Sequence, residues 1–323
     1  MGESQSLPLP LANTDLTWLG AKYTGKVRDV YSRGNQKILI ATDRLSAFDR
    51  VLTTVPLKGQ VLTKLANFWF QKIDGVVPHH VVATPDPNVV IAEALDIIPI
   101  EVVVRGYLVG SAWRDYQAGR SVSGVSFPPG LKEFDKLPEI TITPSTKEAQ
   151  GGHDTPISEV ELVSRGIVAK EVWQQVRDYA LTLFALGTDE VAQRGLILVD
   201  TKYEFGMRNG KVVLADEIHT LDSSRFWKAN SPQSLHSGND RPDSSQLSST
   251  IPEMLDKEPV RRWLLAQGFL GEGEPPAISD RERREWMNHY LASYALITGE
   301  SVPWNTEDPG ERIERNLRHY FGT

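Results

Sequence analysis

Cysteine is absent from this 323-residue chain, which excludes disulfides, thiolate nucleophiles and zinc–cysteine sites. Long apolar runs are absent as well. No stretch approaches the roughly 20 residues needed to span a bilayer. Met1 to Pro10 lacks the charged-then-apolar pattern of a secretory signal, so a cytoplasmic location is expected. Strong charge of either sign is also missing. A formal net charge of −7 argues against nucleic-acid or anionic-membrane partners. It leaves open a small anionic substrate, which feels only the local field of its pocket. No internal repeat is present. With 40% hydrophobic residues, a chain of this length buries a real core in two modest domains or in one large domain with appendages.

The most informative stretch is Leu196-Ile197-Leu198-Val199-Asp200-Thr201-Lys202-Tyr203-Glu204-Phe205-Gly206, with Asp216-Glu217 and Asp222-Ser223-Ser224-Arg225 downstream. A β-branched apolar run predicts a buried strand, and side chains two apart share one of its faces. Asp200, Lys202 and Glu204 therefore form a row of acid, base and acid at the end of a buried segment. Desolvated charges need partners, and a divalent metal with phosphate suits two carboxylates and a lysine. A solvated strand face with a surface ion pair is the alternative.

Elsewhere, Lys26–Tyr31 and Lys37–Thr42 predict two strands around a turn at Ser32-Arg33-Gly34-Asn35, and Val61–Ile73 has helical spacing. Val76–Ala83 and Ile100–Arg105 are strand-like. Residues 120–158 look loop-rich, and Val160–Arg194 carries one long helical pattern. Ser231–Thr250 looks like a flexible surface excursion. Helices are expected over Pro259–Gln267 and Ser279–Thr298, followed by a charged tail from Glu307 to Tyr320. Strands in hairpin pairs with helices in blocks predict an α+β fold, not a doubly wound sheet.

Gly20-Ala21-Lys22-Tyr23-Thr24-Gly25-Lys26-Val27 nearly matches a P-loop. Val27 has no hydroxyl for magnesium, however, and Lys26 opens a hairpin where a P-loop would open a helix. Lys26 and Arg28 on one strand face can still neutralise polyphosphate, or be exposed edge cations. Arg105 ends a strand before Gly106, so its fork can reach a carboxylate or phosphate in a cleft, with Ser111 after Gly110 close by. A strand-terminal arginine paired with an acid is the plainer alternative. Thr143-Pro144-Ser145-Thr146-Lys147, continuing to Gly151-Gly152-His153-Asp154, looks like a mobile substrate flap. His79 and His80 are adjacent and point to opposite sides of a strand, which makes a shared metal unattractive.

Six blocks occur in one order: Gly25-Lys26-Val27-Arg28-Asp29-Val30-Tyr31; Thr42-Asp43-Arg44-Leu45-Ser46-Ala47-Phe48-Asp49; Val104-Arg105-Gly106-Tyr107 with Gly110-Ser111; Thr143 to Lys147 with His153-Asp154; Asp200 to Gly206; and Asp222-Ser223-Ser224-Arg225-Phe226-Trp227. Together, from about Leu19 to about Gly271, the chain resembles the phosphoribosylaminoimidazole-succinocarboxamide synthase (SAICAR synthetase) family. Its longer C-terminal region is more like the fungal and related bacterial forms. Two positions depart from the usual pattern, Gly152 for glutamate and Leu221 for proline, and neither removes a charged group required for catalysis.

The resemblance implies an α+β, ATP-grasp-like fold related to the protein-kinase nucleotide site. It would comprise an N-terminal β-rich nucleotide-binding subdomain (1–105), a substrate and metal subdomain (106–250) and a C-terminal helical region (251–323). It implies ATP-dependent ligation of L-aspartate to 4-carboxy-5-aminoimidazole ribonucleotide (CAIR) through an acyl phosphate, by a monomer or homodimer. By the same resemblance Lys26, Arg28, Glu101, Lys147, Glu204 and Asp216 serve ATP, with Glu204 and Asp216 holding Mg2+. Asp43, Ser46, Arg105, Ser111, Lys147, His153, Asp200, Lys202, Asp222, Ser223 and Arg225 serve the other substrates. Lys202, Asp222 and Arg225 act at the reacting centre. A kinase would want a His-Arg-Asp signature, which the sequence lacks. A non-catalytic nucleotide-binding regulator could dispense with Lys202, Glu204 or Asp216.

Asn209-Gly210 predicts a hairpin turn. A two-residue turn would put Glu204 opposite Ala215 and send Asp216 to the other face. Convergence of the two carboxylates therefore predicts a three-residue loop with a glycine bulge, which would set Lys202 opposite Asp216.

Overall fold

In the computed structural model, residues 6–147, 154–229, 252–303 and 307–323 are described. They are organised by two antiparallel sheets. The first contains β1 (Ala21–Thr24), β2 (Arg28–Arg33), β3 (Gln36–Ala41), β6 (Val81–Asp86) and β7 (Val89–Glu93), in the spatial order β1-β2-β3-β7-β6. Arg33 pairs with Gln36, so the β2–β3 turn needs only Gly34 and Asn35. Ile38 and Ile40 alternate inward from β3 and meet Val89 and Ile91.

Between β3 and β6 the chain forms a small hairpin, β4 (Arg44–Ala47) and β5 (Arg50–Thr54), and then helix α1 (Lys58–Ile73). The hairpin tip is Phe48–Asp49, with φ of 51° and 61°. Two consecutive left-handed residues make the turn that suits strand twist, and without glycine they carry strain.

The second sheet contains β8 (Asp96–Tyr107), β9 (Lys136–Thr146), β10 (Thr155–Pro156), β11 (Leu196–Arg208), β12 (Lys211–Ala215) and β13 (Ser224–Lys228). Its order is β10-β9-β8-β11-β12, and β13 pairs with the first half of β11. Helix α2 (Gly110–Gln117) follows β8, and α3 (Glu159–Ser164) and α4 (Lys170–Ala192) precede β11. Val176, Leu183 and Phe184 of α4 share the main core with Val102, Val104 and Leu198.

Three helices follow: α5 (Glu258–Ala266), α6 (Asp280–Thr298) and α7 (Pro309–Phe321). They do not form one unit. Leu264 of α5 and Met287 and Tyr290 of α6 enter the main core beside α1, whereas Ile313 and Leu317 of α7 close the core of the first sheet. The change of sheet falls between β7 and β8, so a boundary at residue 105 lies inside a strand.

The α+β expectation holds, and several elements differ from their sequence reading. The loop-rich 120–158 contains the 11-residue strand β9. Pro138 and Pro144 disguise it, and prolines are tolerated there because only the two-residue β10 lies outside. The long helix breaks into α3 and α4 around Gly166, whose φ is 67°. The charged tail is an amphipathic helix, capped by Asp308 with Pro309 in its first turn.

Candidate active site

Strand β11 presents its charges by means of a bulge. Leu198 pairs with Phe226 but Asp200 pairs with Arg225, leaving Val199 as an extra residue. One extra residue exchanges the two faces of a strand. Leu196 and Leu198 thus share the main core with Tyr203 and Phe205, while Asp200, Lys202 and Glu204 fall on the opposite, cleft-facing side. Without the bulge, either the leucines or the charges would be on the wrong face.

Each of the three charges meets cross-strand partners. Asp200 lies directly between Arg105 of β8 and Arg225 of β13, and its Oδ2 accepts from their Nη1 atoms at 3.0 and 2.5 Å. Arg105 also donates to Thr143 Oγ1 at 2.9 Å and Ser111 Oγ at 3.3 Å. Glu204 sits opposite Glu101, a pairing that would be repulsive alone. Lys202 resolves it by donating to Glu101 at 3.0 Å and Glu204 at 2.7 Å, and Lys147 pairs with the other Glu204 oxygen. Burial would lower the Lys202 pKa, but Glu204, Asp216 and Glu101 outweigh it and hold the ammonium well above its ordinary value. Lys202 is therefore a fixed positive charge, unsuited to act as a base.

The hairpin β11–β12 keeps the regular two-residue register. Arg208 pairs with Lys211 and Glu204 with Ala215, and Asn209 and Gly210 both have positive φ, so the bulged three-residue loop is not formed. Asp216 is placed by its own backbone conformation. Asp216, one residue past β12, adopts a left-handed φ of 63°. Its carboxylate meets Arg28 Nη2 at 2.5 Å. Burial pushes the Asp216 pKa up, but Arg28, Lys202 and Lys147 together hold it below the usual range. Aspartate tolerates this conformation better than most residues, so the torsion can aim its carboxylate at Arg28.

Asp222 is gripped from two helices. Lys58 of α1, whose side chain is 0% exposed, donates to its Oδ2 at 2.7 Å. Tyr290 of α6 donates to Oδ1 at 3.3 Å. Burial opposes ionisation of Asp222, yet Lys58 and Lys257 prevail and hold it far below an ordinary carboxyl.

Two cavities meet here. One of about 170 Å³ is lined by Arg105, Ser111, Asp200, Ser223 and Arg225. The other, of about 420 Å³, is lined by Lys26, Arg28, Ser46 and Asp49. Lys202, Asp222, Lys257 and Arg261 line both. Gly110 packs against Arg225, since a Cβ there would lie 2.7 Å from Arg225 Nη2.

Most residues expected from the sequence are thus brought together. Asp43 is not. It is 3% exposed, and its carboxylate accepts the backbone N–H groups of Leu11 and Gly59 at 2.8 Å each, tying the N-terminal segment and α1 to the hairpin. Lys26 precedes β2 and pairs with Asp49 at 2.6 Å. His153 and the centre of the expected flap lie outside the described residues. His79 packs against the Phe70 ring, with centroids 5.0 Å apart. His80 is buried with Nε2 3.2 Å from the Asp216 carbonyl, and no cluster of three or more metal-ligating side chains occurs among the described residues. Sequence reasoning missed Lys58, Lys257, Arg261 and Tyr290. A lysine beside Gly59 at a helix start was the one local signal: a Cβ at Gly59 would meet the Ala41 carbonyl oxygen at 2.3 Å, so α1 abuts β3.

Comparison with known proteins places the chain among relatives of one family. A family model described as SAICAR synthetase matches residues 21–274. A phosphoribosylaminoimidazole-succinocarboxamide synthase of Legionella pneumophila (strain Lens) is 44% identical over 326 residues, covering 98% of this chain and 100% of that protein. A solved SAICAR synthase of Saccharomyces cerevisiae, complexed with SAICAR, aligns with a TM-score of 0.76 and 29% identity, covering 91% of this chain and 100% of that one. A type-2 SAICAR synthetase in complex with ADP aligns with a TM-score of 0.64 and 27% identity, over 88% of this chain and 100% of that one.

Proposed function

The chain belongs to the SAICAR synthetase family, and on that premise we propose how its two joined cavities divide an ATP-dependent ligation of L-aspartate to CAIR. The observation that carries this reading is that Lys202 and Asp222 line both cavities. A phosphoryl group and the carboxylate that receives it must meet at such a junction.

The phosphate of CAIR occupies the smaller cavity, on Arg105, Arg225 and Ser111. Two guanidinium forks suit a phosphate, and both are already aligned by Asp200. The ATP phosphates occupy the larger cavity on Lys26 and Arg28. Glu204 and Asp216 fit Mg2+: two carboxylates near phosphate are its usual protein contribution, and both lie close enough to Lys202 and Arg28 to perturb their ionisation. The ion would supply charge neutralisation at the transferring phosphoryl group.

In the reaction, a CAIR carboxylate oxygen bonds to the γ-phosphorus and the bond to the ADP oxygen breaks. The neutral aspartate amine then attacks the acyl carbon, the C–O bond to phosphate breaks, and the proton released from nitrogen passes to the departing phosphate. Lys202, fixed as a cation, faces charge developing in both steps. Asp222, fixed as an anion, accepts a hydrogen bond from the amine and aims it. Such chemistry asks mainly for positioning and electrostatics, and no thiol is required.

The test is incubation with ATP, magnesium, CAIR and L-aspartate. ADP release should require both co-substrates. ADP formed without aspartate, with a phosphorylated product accumulating, would instead indicate a kinase.

A further inference from the structure

We propose that Arg44 is a positioning residue for the ATP phosphates, acting through the backbone of the loop that carries Lys26 and leads into Arg28. This rests on the ligase reading above, which sets those phosphates on Lys26 and Arg28.

The loop has little packing to hold it. It joins β1 to β2 at the edge of the first sheet, and none of residues 21–28 is buried. The Lys26 side chain is 58% exposed, and that of its partner Asp49 is 62% exposed. Within the loop, the Gly25 N–H donates to the Arg28 carbonyl at 2.8 Å. An edge turn with so little burial opens easily unless further hydrogen bonds tie it down.

Arg44 supplies such bonds. From the first position of β4, its Nη2 donates to the Gly25 carbonyl at 2.9 Å and its Nε to the Lys26 carbonyl at 3.2 Å. Two residues earlier, the N–H and hydroxyl of Thr42 donate to the Val27 carbonyl at 2.9 and 2.8 Å. Three consecutive carbonyls of the loop thus end on residues 42–44. Arg44 is buried, and its other donors anchor it, Nη1 to the Ala12 carbonyl at 2.6 Å and Nη2 to Asp29 Oδ1 at 2.8 Å. A planar fork with five donors can bridge four acceptors on three segments, and an ammonium group cannot.

Lys26, Val27 and Arg28 all line the larger cavity. A shift of their backbone would therefore move the cations away from the phosphates, and a misplacement of about 1 Å can cost a hundredfold. The dependence should follow the phosphates and spare the nucleoside.

Calorimetric titration with ADP and with adenosine, beside steady-state kinetics, would test this. Arg44→Lys keeps a cation for Asp29 and loses the fork. Its Kd for ADP and its KM for ATP should both rise about ten- to hundredfold. Adenosine affinity and the KM values for CAIR and L-aspartate should change less than about threefold. Asp29→Asn controls for stability alone. It should lower the melting temperature and leave the ADP Kd within about threefold, because Arg44 keeps its carbonyl partners. Thr42→Val removes one donor from the Val27 carbonyl and no charge, and should weaken ADP about three- to tenfold. That variant decides the matter if Arg44→Lys does not fold. Unchanged ADP affinity in the folded variants would overturn the proposal. So would an equal loss for adenosine, or a loss in Asp29→Asn as large as in Arg44→Lys. Failure of the ligase reading would look different, since wild-type protein would then release no ADP with all three substrates present.

Discussion

Lys58 reaches Asp222 across 164 residues of sequence, from the first turn of α1 to the loop before β13, and binds its carboxylate at 2.7 Å with no side-chain exposure of its own. The consequence is chemical as well as structural. Lys58 and Lys257 overcome burial and hold the Asp222 carboxyl well below its ordinary range, which suits the proposed role of orienting an amine as an anion. With Tyr290 on the other oxygen, helices from both ends of the chain fix one side chain of the site.

Lys58→Met should therefore cost about 3–5 kcal/mol of stability, because a buried carboxylate loses its partner. Urea unfolding would measure it, and Lys58→Met combined with Asp222→Asn should be less destabilised than the sum of the single variants. The pair also has a pH signature. Since folding depresses the Asp222 pKa, its contribution is fully present above the unfolded value of about 4 and is lost as pH falls below that. Wild type should weaken through this acid range, and Asp222→Asn should show a shallower loss.

Arg225→Lys should be nearly as damaging as Arg225→Ala, and Gly110→Ala should resemble both. Lysine keeps the charge but cannot copy the fork that sits between Asp200 and a bound anion. At Gly110, φ is 61° and an added Cβ would lie 2.7 Å from Arg225 Nη2, so the guanidinium must move. The expected loss is in CAIR binding, with ATP affinity nearly unchanged. Isothermal titration with each ligand separately would check it, and equal weakening of both would refute this assignment of Arg225.

Asp43→Asn should destabilise the protein by about 1–3 kcal/mol and leave all three KM values near wild type. The carboxylate accepts two backbone N–H groups, and an amide can accept only one without turning its own NH2 toward the other. Burial raises the Asp43 pKa to about 6. The folded state thus binds the proton more tightly than the unfolded chain, and this group's contribution to stability declines as pH rises from about 4 to 6. A large rise in any KM with unchanged stability would return Asp43 to the substrate site.

These cases mark what local sequence could reveal. Asp200, Lys202 and Glu204 were legible because their two-residue spacing and the preceding apolar run are local. The Val199 bulge was not, although it sets those charges on the cleft side. Asp43 lies in a block rich in charge, and only tertiary burial shows that backbone amides claim its carboxylate. Lys58 precedes the helix expected from Val61 and Tyr290 lies within the one expected over Ser279–Thr298, and neither could be tied to Asp222, which is supplied from far along the chain. Strand β9 was hidden by Pro138 and Pro144, whose missing donors matter little beside an edge as short as β10. Helix α7 was hidden by its charge, for its core-facing stripe is only Ile313, Leu317 and Phe321, each four residues from the next.

Whether Glu204 and Asp216 share an ion gives the sharpest remaining test, because the direction of Asp216 follows from its backbone torsion. The β11–β12 register alone would send these carboxylates to opposite faces. The left-handed φ of 63° at Asp216 brings the second one back onto Arg28 and within electrostatic reach of Lys202. Asn shares aspartate's tolerance of this conformation, so Asp216→Asn should fold normally while losing the charge. Turnover should drop on the order of a hundredfold or more, as expected when charge stabilisation of a phosphoryl transition state is reduced by several kcal/mol. The magnesium concentration for half-maximal rate should rise in parallel, and Glu204→Gln should behave alike. CAIR affinity should hold, since Arg105 and Arg225 are untouched. Near-wild-type turnover of either variant at limiting magnesium would show that these two carboxylates do not share an ion.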